Sequence, residues 1–424
     1  MLIREKYLSK IRGFYHTESL IKIIYGMRRS GKSVILNQIM SEIIKSGVDK
    51  ANVIYINFES LKYDFIKNAK DLYNYVESLK INNNKYYVFL DEIQKVEEFE
   101  KGINSLRITN DYSIFITGSN SRMTLLELST DLSGRYVSFR INQLSFKEIV
   151  ELTNTKEKDY EKLLFDIFKW GGLPQRFLFE NENDKISYLS SVYDSIILKD
   201  IVERLGIKDI ASFNKVLQYI LDTESREFSR DNVIEYLKKE YHEIANDTLY
   251  NYLEAFSTTF IMNKVYRYDI HGKNILKTLN KYYANDLGIK QIKTNNENIN
   301  YSVALENIVY NDLIGKDYKV FIGKTKKGEI DFIASKNNKF KYIQVCLDLT
   351  DENTRIREFN AFDDIEGEEK YIITLTKKDY SNGNVKQINI FDFLMNDDFW
   401  FLLKIVIICI VIDNYILIYY IYYM

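Results

Sequence analysis

Short apolar runs that end in polar or glycine residues recur through the first third of the chain. Their apolarity is continuous rather than alternating, which is typical of strands covered on both faces in a parallel sheet. The predicted strands are "IKIIYG" from position 21, "NVIYINF" from 52, "YYVFLDE" from 86, "SIFITG" from 113 and "YVSFRI" at 136–141. A helix pattern, with apolar residues at three- and four-residue spacing, follows the first strand in "KSVILNQIMSEIIKSG". The pattern therefore predicts an open α/β sheet.

The pattern changes three times after this sheet. Helical spacing dominates from residue 144 to about 223, with a break at "WGGLP", where two glycines and a proline predict a fixed turn. Two helical runs and a two-stranded hairpin follow, which is the order of elements in a winged-helix unit. A last α/β segment begins after "NNENIN". The predicted regions are 1–143 (α/β core), 144–225 (helical lid or linker), 226–297 (winged-helix segment), 298–395 (small α/β domain) and 396–424 (hydrophobic tail).

Composition and charge narrow the class of protein. A hydrophobic fraction of 46% and a charged fraction of 28% indicate a folded, soluble chain and exclude intrinsic disorder. The net charge is −2, so no global basic field attracts nucleic acid. Two cysteines (Cys346 and Cys409) and a charged N-terminal segment without a signal-peptide core predict a cytoplasmic protein. The three histidines are scattered and no CxxC occurs, which argues against a zinc site.

The segment 399–424 is apolar and about long enough to span a bilayer. Lys404 and Asp413 interrupt it, and a charge near the centre of a membrane helix costs about 2.5–3.5 kcal/mol. We therefore predict an apolar tail that packs on the protein or is poorly ordered, with insertion into a membrane as the less favoured alternative.

The segment "IIYGMRRSGKSVIL" combines a predicted strand, a glycine-rich loop and a predicted helix. Gly26, Gly31, Lys32 and Ser33 have the spacing of a phosphate-binding loop, in which glycines let backbone N–H groups face the phosphates at the positive end of the helix. Lys32 would reach the β- and γ-phosphates, and the Ser33 hydroxyl would ligate Mg²⁺. The predicted nucleotide contacts are Gly26, Arg28, Arg29, Ser30, Gly31, Lys32, Ser33 and Val34.

The segment "VFLDE" places two carboxylates at the end of a buried strand, where the ligand sites of α/β proteins lie. Asp91 is predicted to hold Mg²⁺ through water, and Glu92 is predicted to polarise the attacking water. A solvated strand end would select the same pair of residues, but the phosphate loop upstream favours the catalytic interpretation.

Polar residues at and beyond the next strand end extend the predicted site. Thr117, Ser119 and Asn120 end the strand "FITGSN", and Asn120 is expected to hold the lytic water or touch the γ-phosphate, although a turn would select the same residues. Arg135, in "LSGRY", is predicted to stabilise charge at the γ-phosphate in its own subunit or in a neighbouring subunit of an oligomer. The rival sources of positive charge are Arg28, Arg29 and Arg122.

Six motifs, taken in order, carry a resemblance to a known family. "GMRRSGKS", "FLDEIQ", "ITGSN", "LSGRY", "LSFKE" and "GGLP" resemble the motifs of the AAA-type ATPases of bacteria and archaea that carry a C-terminal domain of unknown function. The resemblance covers roughly residues 4–394. It implies an ASCE-class P-loop fold with Walker A and Walker B motifs, and ATP and Mg²⁺ as cofactors. It also implies that Arg135 is the arginine finger, in a family without a settled physiological substrate.

The last α/β segment is similar to the metal-binding core of restriction-endonuclease-like folds. Glu306 and Asp331 match its first two acidic positions, but Gln344 and Cys346 stand where a carboxylate and a lysine are needed. An amide is a weak Mg²⁺ ligand, and a thiol has no positive charge at neutral pH. Glu329 would share a strand face with Asp331 and could compensate. We therefore predict a vestigial nuclease site in a domain retained for structure or DNA contact, with an active nuclease as the alternative.

The predicted winged-helix segment is the other candidate for DNA contact. Residues 226–290 hold 10 Lys and Arg against 9 Asp and Glu, whereas surfaces that track phosphates show a clearer excess of positive charge. Winged helices also contact proteins, so DNA binding by this segment is a hypothesis and a protein partner is an alternative.

The chain is therefore predicted to bind ATP and to hydrolyse it with Mg²⁺, for a task on DNA or on a protein partner. One alternative is an ATP-occupied switch or scaffold that binds a partner with little turnover. A less favoured alternative is an ATP-gated, metal-dependent nuclease. The preference for ATP over GTP follows from the resemblance, since no guanine-reading Asn-Lys-x-Asp motif is evident.

Overall fold

The computed structural model describes residues 2–118, 134–203, 205–240, 243–294, 298–326, 328–366 and 369–397. Within these ranges the chain forms two compact units. The first unit contains the residues up to Val265 together with Leu279–Ile299, and the second contains Tyr266–Thr278 and the residues from Asn300 onward. The chain therefore enters the second unit at Tyr266, returns to the first at Leu279 and enters the second again at Asn300.

A parallel sheet forms the core of the first unit. Its described strands are β1 (Ile21–Tyr25), β2 (Val53–Asn57), β3 (Tyr86–Asp91), β4 (Tyr112–Gly118) and β5 (Tyr136–Arg140). Their order is β2-β3-β4-β1-β5, and every neighbouring pair is parallel. All residues of β3 and β4 are buried, as the continuous apolar runs require. The predicted α/β class with a parallel sheet is confirmed.

Two apolar clusters cover the two faces of this sheet. The helices that contribute to them are α1 (Glu5–Ile11), α2 (Lys32–Lys45), α3 (Ala69–Ser78) and α4 (Phe99–Ile108). One cluster joins Val88 and Ile114 to α3 and α4, and the other joins Phe89 and Phe115 to α1 and α2. Neighbouring residues of one strand therefore enter opposite layers of the core.

The rest of the first unit is mainly helical. Its described helices are α5 (Phe146–Thr153), α6 (Tyr160–Trp170), α7 (Glu182–Ser195), α8 (Ile210–Asp222), α9 (Arg230–Lys239), α10 (Asn246–Thr258) and α11 (Leu287–Thr294). A π-helical turn, Ile196–Val202, continues α7. An apolar cluster around Phe213 and Phe256 joins helices α6 to α11 and includes Met27, which lies in the loop after β1. The loop is thus packed against the helical part.

A hairpin follows α9 and α10 and consists of β6 (Met262–Asp269) and β7 (Asn274–Ala284). Two helices and a hairpin are the elements predicted for this segment. Its assignment as a winged helix stays a prediction, because other folds also place a β-hairpin after two helices.

Five strands of the second unit belong to a mixed sheet that also contains β6 and β7. They are β8 (Lys319–Lys324), β9 (Glu329–Lys336), β10 (Lys339–Cys346), β11 (Glu369–Thr374) and β12 (Val385–Asn389). Among the described strands the order is β12-β11-β10-β9-β8-β6-β7, with β8, β9 and β10 antiparallel and β10, β11 and β12 parallel. The helices are α12 (Tyr301–Gly315), α13 (Glu352–Asn360) and α14 (Ile390–Met395). The likeness to a nuclease fold stays a prediction.

The described part of the chain ends at residue 397, shortly after α14. The residues from 398 onward, which make up nearly all of the predicted tail 396–424, lie outside the described part of the chain. In the part that is described, none of the helices is long and apolar enough to cross a membrane.

Candidate active site

The loop after β1 folds back on itself before α2. Gly26 has a φ angle of 147° and Gly31 has one of 99°, and side chains rarely tolerate either value. A side chain at Gly26 would also collide with the carbonyl oxygen of Ile141. Gly31 is the N-cap of α2, so the unpaired N–H groups of the first helical turn face the loop. This backbone fits a bound phosphate group.

The ammonium group of Lys32 is buried inside the loop. Its Nζ atom donates to the carbonyl oxygens of Gly26 at 3.1 Å and Met27 at 3.0 Å. An ammonium has three N–H donors, and the third has no partner among the described residues. Burial lowers the pKa of Lys32, and the charge of Glu92 opposes that shift. A phosphate oxygen would supply both an acceptor and a compensating charge.

Asp91, the last residue of β3, is fully buried. Its Oδ1 atom accepts a hydrogen bond from the Thr117 hydroxyl, and its Oδ2 atom accepts from the Tyr55 hydroxyl at 3.0 Å and the Asn57 amide at 3.4 Å. Burial and the Asp91 charge raise the pKa of Tyr55 to about 12, so this phenol stays protonated and donates. Side chains from the two neighbouring strands therefore fix the carboxylate at the carboxyl edge of the sheet.

Glu92 follows in the left-handed region, with a φ angle of 56°. A residue other than glycine is strained there, and such strain is concentrated at functional sites. The backbone N–H of Glu92 donates to Thr117 Oγ1 at 2.9 Å, and its carboxylate accepts from the Gln94 amide. One hydroxyl, that of Thr117, therefore holds both Asp91 and Glu92. The structure brings these two predicted residues together with Lys32, whose charge interacts with both.

Two buried residues that the sequence patterns did not single out support the loop. Arg4 donates to the carbonyl oxygens of Ser30 at 2.9 Å and Asn142 at 3.1 Å, and its Nε atom lies 2.8 Å from Glu148 Oε1. Burial raises the pKa of Glu148, but the Arg4 charge and hydrogen bonds outweigh it, so the net pKa is lowered. Glu148 also forms a capping box with Ser145. The S-x-x-E spacing in "LSFKE" is a signal for this capping box, but not for the contact of Glu148 with Arg4.

Arg135 does not lie near the phosphate loop. It precedes β5, whose register pairs Tyr136 with Ile21 at the start of β1. The loop begins after Tyr25, at the other end of a five-residue strand that spans about 16 Å at 3.3 Å per residue. The backbone of Arg135 therefore lies at the opposite end of β1 from the phosphate loop, and its predicted contact with a phosphate of its own subunit stays untested. Its action in a neighbouring subunit stays a prediction.

The remaining predicted contacts lie on and beside the loop. Arg29 is exposed, with a φ angle of 64°, and Arg28 forms an ion pair with Asp200. Ser33 and Val34 lie in the first turn of α2, both partly exposed. The predicted residues outside the described ranges are Ser119, Asn120 and Arg122. Asn120 therefore stays an untested prediction.

The "WGGLP" turn lies against the same loop. Gly171 ends α6 with a φ angle of 68°, and a side chain there would collide with the Asp286 carboxylate. The Gly172 N–H donates to Asp286 Oδ2 at 2.8 Å, and burial raises the pKa of Asp286. A Cβ atom built on Gly31 would lie 3.9 Å from Pro174 Cγ. The turn is thus fixed by contacts and adjoins the start of α2.

The predicted vestigial nuclease residues lie on three elements: Glu306 on α12, Glu329 and Asp331 on β9, and Gln344 on β10. Gln344 Oε1 accepts from the Asp331 N–H at 2.7 Å, and Gln344 Nε2 donates to Glu358 at 3.1 Å. The Asp331 carboxylate accepts from the Val345 N–H at 2.8 Å. Across the described ranges, no group of three or more His, Cys, Asp or Glu side chains is arranged to hold a metal ion.

Comparisons with known proteins identify two domains and several relatives. Residues 18–150 match an AAA domain, and residues 161–298 match a domain of unknown function (DUF8612). An uncharacterized protein of Haemophilus influenzae is 37% identical over 84% of this chain and 88% of its own length. An uncharacterized protein of Methanocaldococcus jannaschii is 32% identical over 81% of this chain and 78% of its own length.

Two solved structures are similar at low identity. A Walker-type ATPase of Pyrococcus abyssi is 14% identical, with a TM-score of 0.48 over 69% of this chain and 96% of that chain. AMPPCP-bound DnaA from Aquifex aeolicus is 16% identical, with a TM-score of 0.27 over 61% of this chain and 96% of that chain. The family is assigned from the two sequence relatives, which are 37% and 32% identical to this chain. This chain belongs to the family of the Haemophilus influenzae and Methanocaldococcus jannaschii proteins, and its N-terminal part is an AAA domain.

Proposed function

We propose that this chain is a Mg²⁺-dependent ATP hydrolase. The observation that carries the proposal is the joint position of Lys32 inside the glycine loop and of Asp91 and Glu92 at the end of β3, two strands away from β1 in the sheet. The AAA domain match supports nucleotide binding at this loop. The preference for ATP rests on the family resemblance.

The loop residues would bind the phosphates. Backbone N–H groups between Gly26 and Ser33 would donate to phosphate oxygens, and Lys32 would place its charge beside the β- and γ-phosphates. The Ser33 hydroxyl and the Asp91 carboxylate would hold Mg²⁺, which neutralises phosphate charge when bound. Few protein ligands are needed, because Mg²⁺ keeps several waters and takes further oxygens from the nucleotide.

Glu92 would orient and polarise the attacking water. Thr117 fixes its backbone, and the Gln94 amide donates to Oε2, while Oε1 has no partner among the described residues. That oxygen is free to accept a hydrogen bond from water. A positioned general base contributes about 10²–10⁴-fold to a rate.

Lys32→Ala tests the proposal at its first step. The parent protein should bind ATP and release phosphate with Mg²⁺, whereas the variant should bind ATP undetectably, because the loop loses its buried cation. Calorimetry measures binding, and an enzyme-coupled assay measures phosphate release. Lys45→Ala, an exposed lysine at the far end of α2, is the matched control and should behave like the parent. Unchanged ATP binding in Lys32→Ala would contradict the site.

A second function is favoured by one contact. The amide of Gln94 holds the Glu92 carboxylate, and a carboxylate held in this way is less available to water. The chain would then be an ATP-occupied switch that recruits a partner with little turnover. Phosphate release with and without duplex DNA separates the two functions, since a switch releases little in either case and a DNA-coupled hydrolase is stimulated.

A further inference from the structure

The π-helical turn after α7 brings a buried carboxylate to the phosphate loop. Asp200 lies on this turn and is 1% exposed. Its Oδ2 atom accepts from Arg28 Nε at 2.5 Å, and its Oδ1 atom accepts from Arg28 Nη2 at 3.2 Å. The contact therefore joins the second residue after Gly26 to the helical part of the same unit.

The ion pair between Arg28 and Asp200 occupies only part of the guanidinium group. A guanidinium has five N–H donors, and Asp200 takes one from Nε and one from Nη2. The other three have no partner among the described residues. Arginine forks of this kind bind carboxylates and phosphates with two-point geometry. The free edge of Arg28 is thus suited to a phosphate oxygen while the Asp200 pair is kept.

The two arginines of the loop face different neighbours. The charge of Arg28 interacts with Glu92 and Lys32, which both belong to the proposed hydrolysis site. The charge of Arg29 instead interacts with the Tyr188 hydroxyl on α7. Of these two arginines, Arg28 is the one whose charge interacts with Glu92, beside which the terminal phosphate would lie.

The carboxylate itself sits on an unusual element. π-Helical turns are rare, and they occur often at functional sites. A buried carboxylate is costly unless it is paired and hydrogen-bonded. The turn therefore presents Asp200 to Arg28 with a fixed direction, which a solvated carboxylate would not provide.

We propose that Asp200 is a positioning residue that directs Arg28 to the terminal phosphate of ATP, so that the site favours a triphosphate over a diphosphate. This inference rests on the proposed nucleotide site. It makes the π-helical turn, and through it the helical part of the first unit, the element that registers whether the third phosphate is present.

The test compares the affinities of the full-length protein for ADP and for a non-hydrolysable ATP analogue, both with Mg²⁺, by calorimetry. In Arg28→Ala, the ratio of the affinity for the ATP analogue to the affinity for ADP should fall at least about tenfold. This is the size of the loss of one charge-assisted hydrogen bond. Asp200→Asn should produce most of this loss, and ADP binding should be unchanged. The double variant should lose no more than Arg28→Ala alone, because the two residues act as one unit.

Two further variants separate the positioning role from a loss of folding. Asp194→Asn changes an exposed carboxylate on α7 and should leave the ratio unchanged. Arg28→Lys keeps the charge but has no planar fork, so it should also lose the preference for the analogue even if Asp200→Asn unfolds. The midpoint of thermal unfolding is measured for each variant.

Failure of the inference and failure of the proposed function give different results. If both nucleotides bind the parent but Asp200→Asn and Arg28→Lys keep its ratio, the positioning role is wrong and the nucleotide site stands. Tighter analogue binding in Asp200→Asn would also overturn the inference, since Asp200 would then compete with the phosphate for Arg28. If neither nucleotide binds the parent, both proposals are overturned.

Discussion

Each unit of this protein places an aspartate on a strand beside a neighbouring strand that supplies polar groups, yet the two networks differ. In the first unit, Asp91 and Glu92 accept hydrogen bonds from side chains, and Glu92 keeps one carboxylate oxygen without a described partner. In the second unit, Asp331 accepts from a backbone N–H of β10, and Gln344 uses both ends of its amide within the protein.

The two networks differ in whether their hydrogen bonds leave a carboxylate oxygen available to bind water. Thr117 has a hydroxyl that can donate to one group and accept from another, so it fixes Asp91 and Glu92 without occupying every oxygen. Gln344 joins the Asp331 backbone to Glu358 and so ties a strand to α13. A network that holds a carboxylate and leaves an oxygen open suits catalysis, whereas a network closed on itself suits stability.

Thr117→Val removes the bridge in the first unit and should have the larger effect on activity. Valine has nearly the same shape, but it can neither donate to Asp91 nor accept from the Glu92 N–H. We expect phosphate release to fall about 10–100-fold, as when residues that orient metal ligands are changed. Thr117→Ser keeps the hydroxyl and should retain most of the rate. Equal rates in Thr117→Val and the parent would show that the bridge does not matter.

Gln344→Glu opens the closed network of the second unit and should have a smaller effect, on stability. The introduced carboxyl group would face Glu358 at the position of a 3.1 Å hydrogen bond. At pH 7 we expect a loss of about 1–3 kcal/mol in the free energy of unfolding, because a donor is replaced by a like charge. Urea unfolding measures it.

The pH dependence of this loss has a definite sign. Repulsion by Glu358 raises the folded-state pKa of the introduced group above its unfolded value of about 4.3. The loss is therefore present above both values and disappears as the pH falls below the unfolded pKa. Asn338→Asp, in an exposed turn, is the control and should show neither effect. A loss that is the same at pH 7 and pH 4 would contradict the explanation.

Much of the fold could be predicted from the sequence because its signals are local. Five apolar runs became the parallel strands, and the glycine loop lies between β1 and α2 as its spacing predicts. The side of the sheet that carries Asp91 also followed from the sequence, since parallel strands present their carboxyl ends on one edge.

The contacts that were missed join residues far apart in the chain. Arg4 and Glu148 are 144 positions apart, and Arg28 and Asp200 are 172 apart, so periodicity and spacing carry no information about either pair. The position of Arg135 required the register of β5 on β1, which no local pattern specifies. The roles of these residues stay proposals, because sequence motifs name residue types and not the partners that orient them.

The most direct test of the central claim is ATP binding and phosphate release measured on the same preparation of Glu92→Gln. The amide keeps the size of the side chain and removes the carboxylate that would accept a hydrogen bond from water. We expect ATP to bind as in the parent and phosphate release to be at least about 100-fold slower, the contribution of a general base. Equal turnover in Glu92→Gln and the parent would contradict the account.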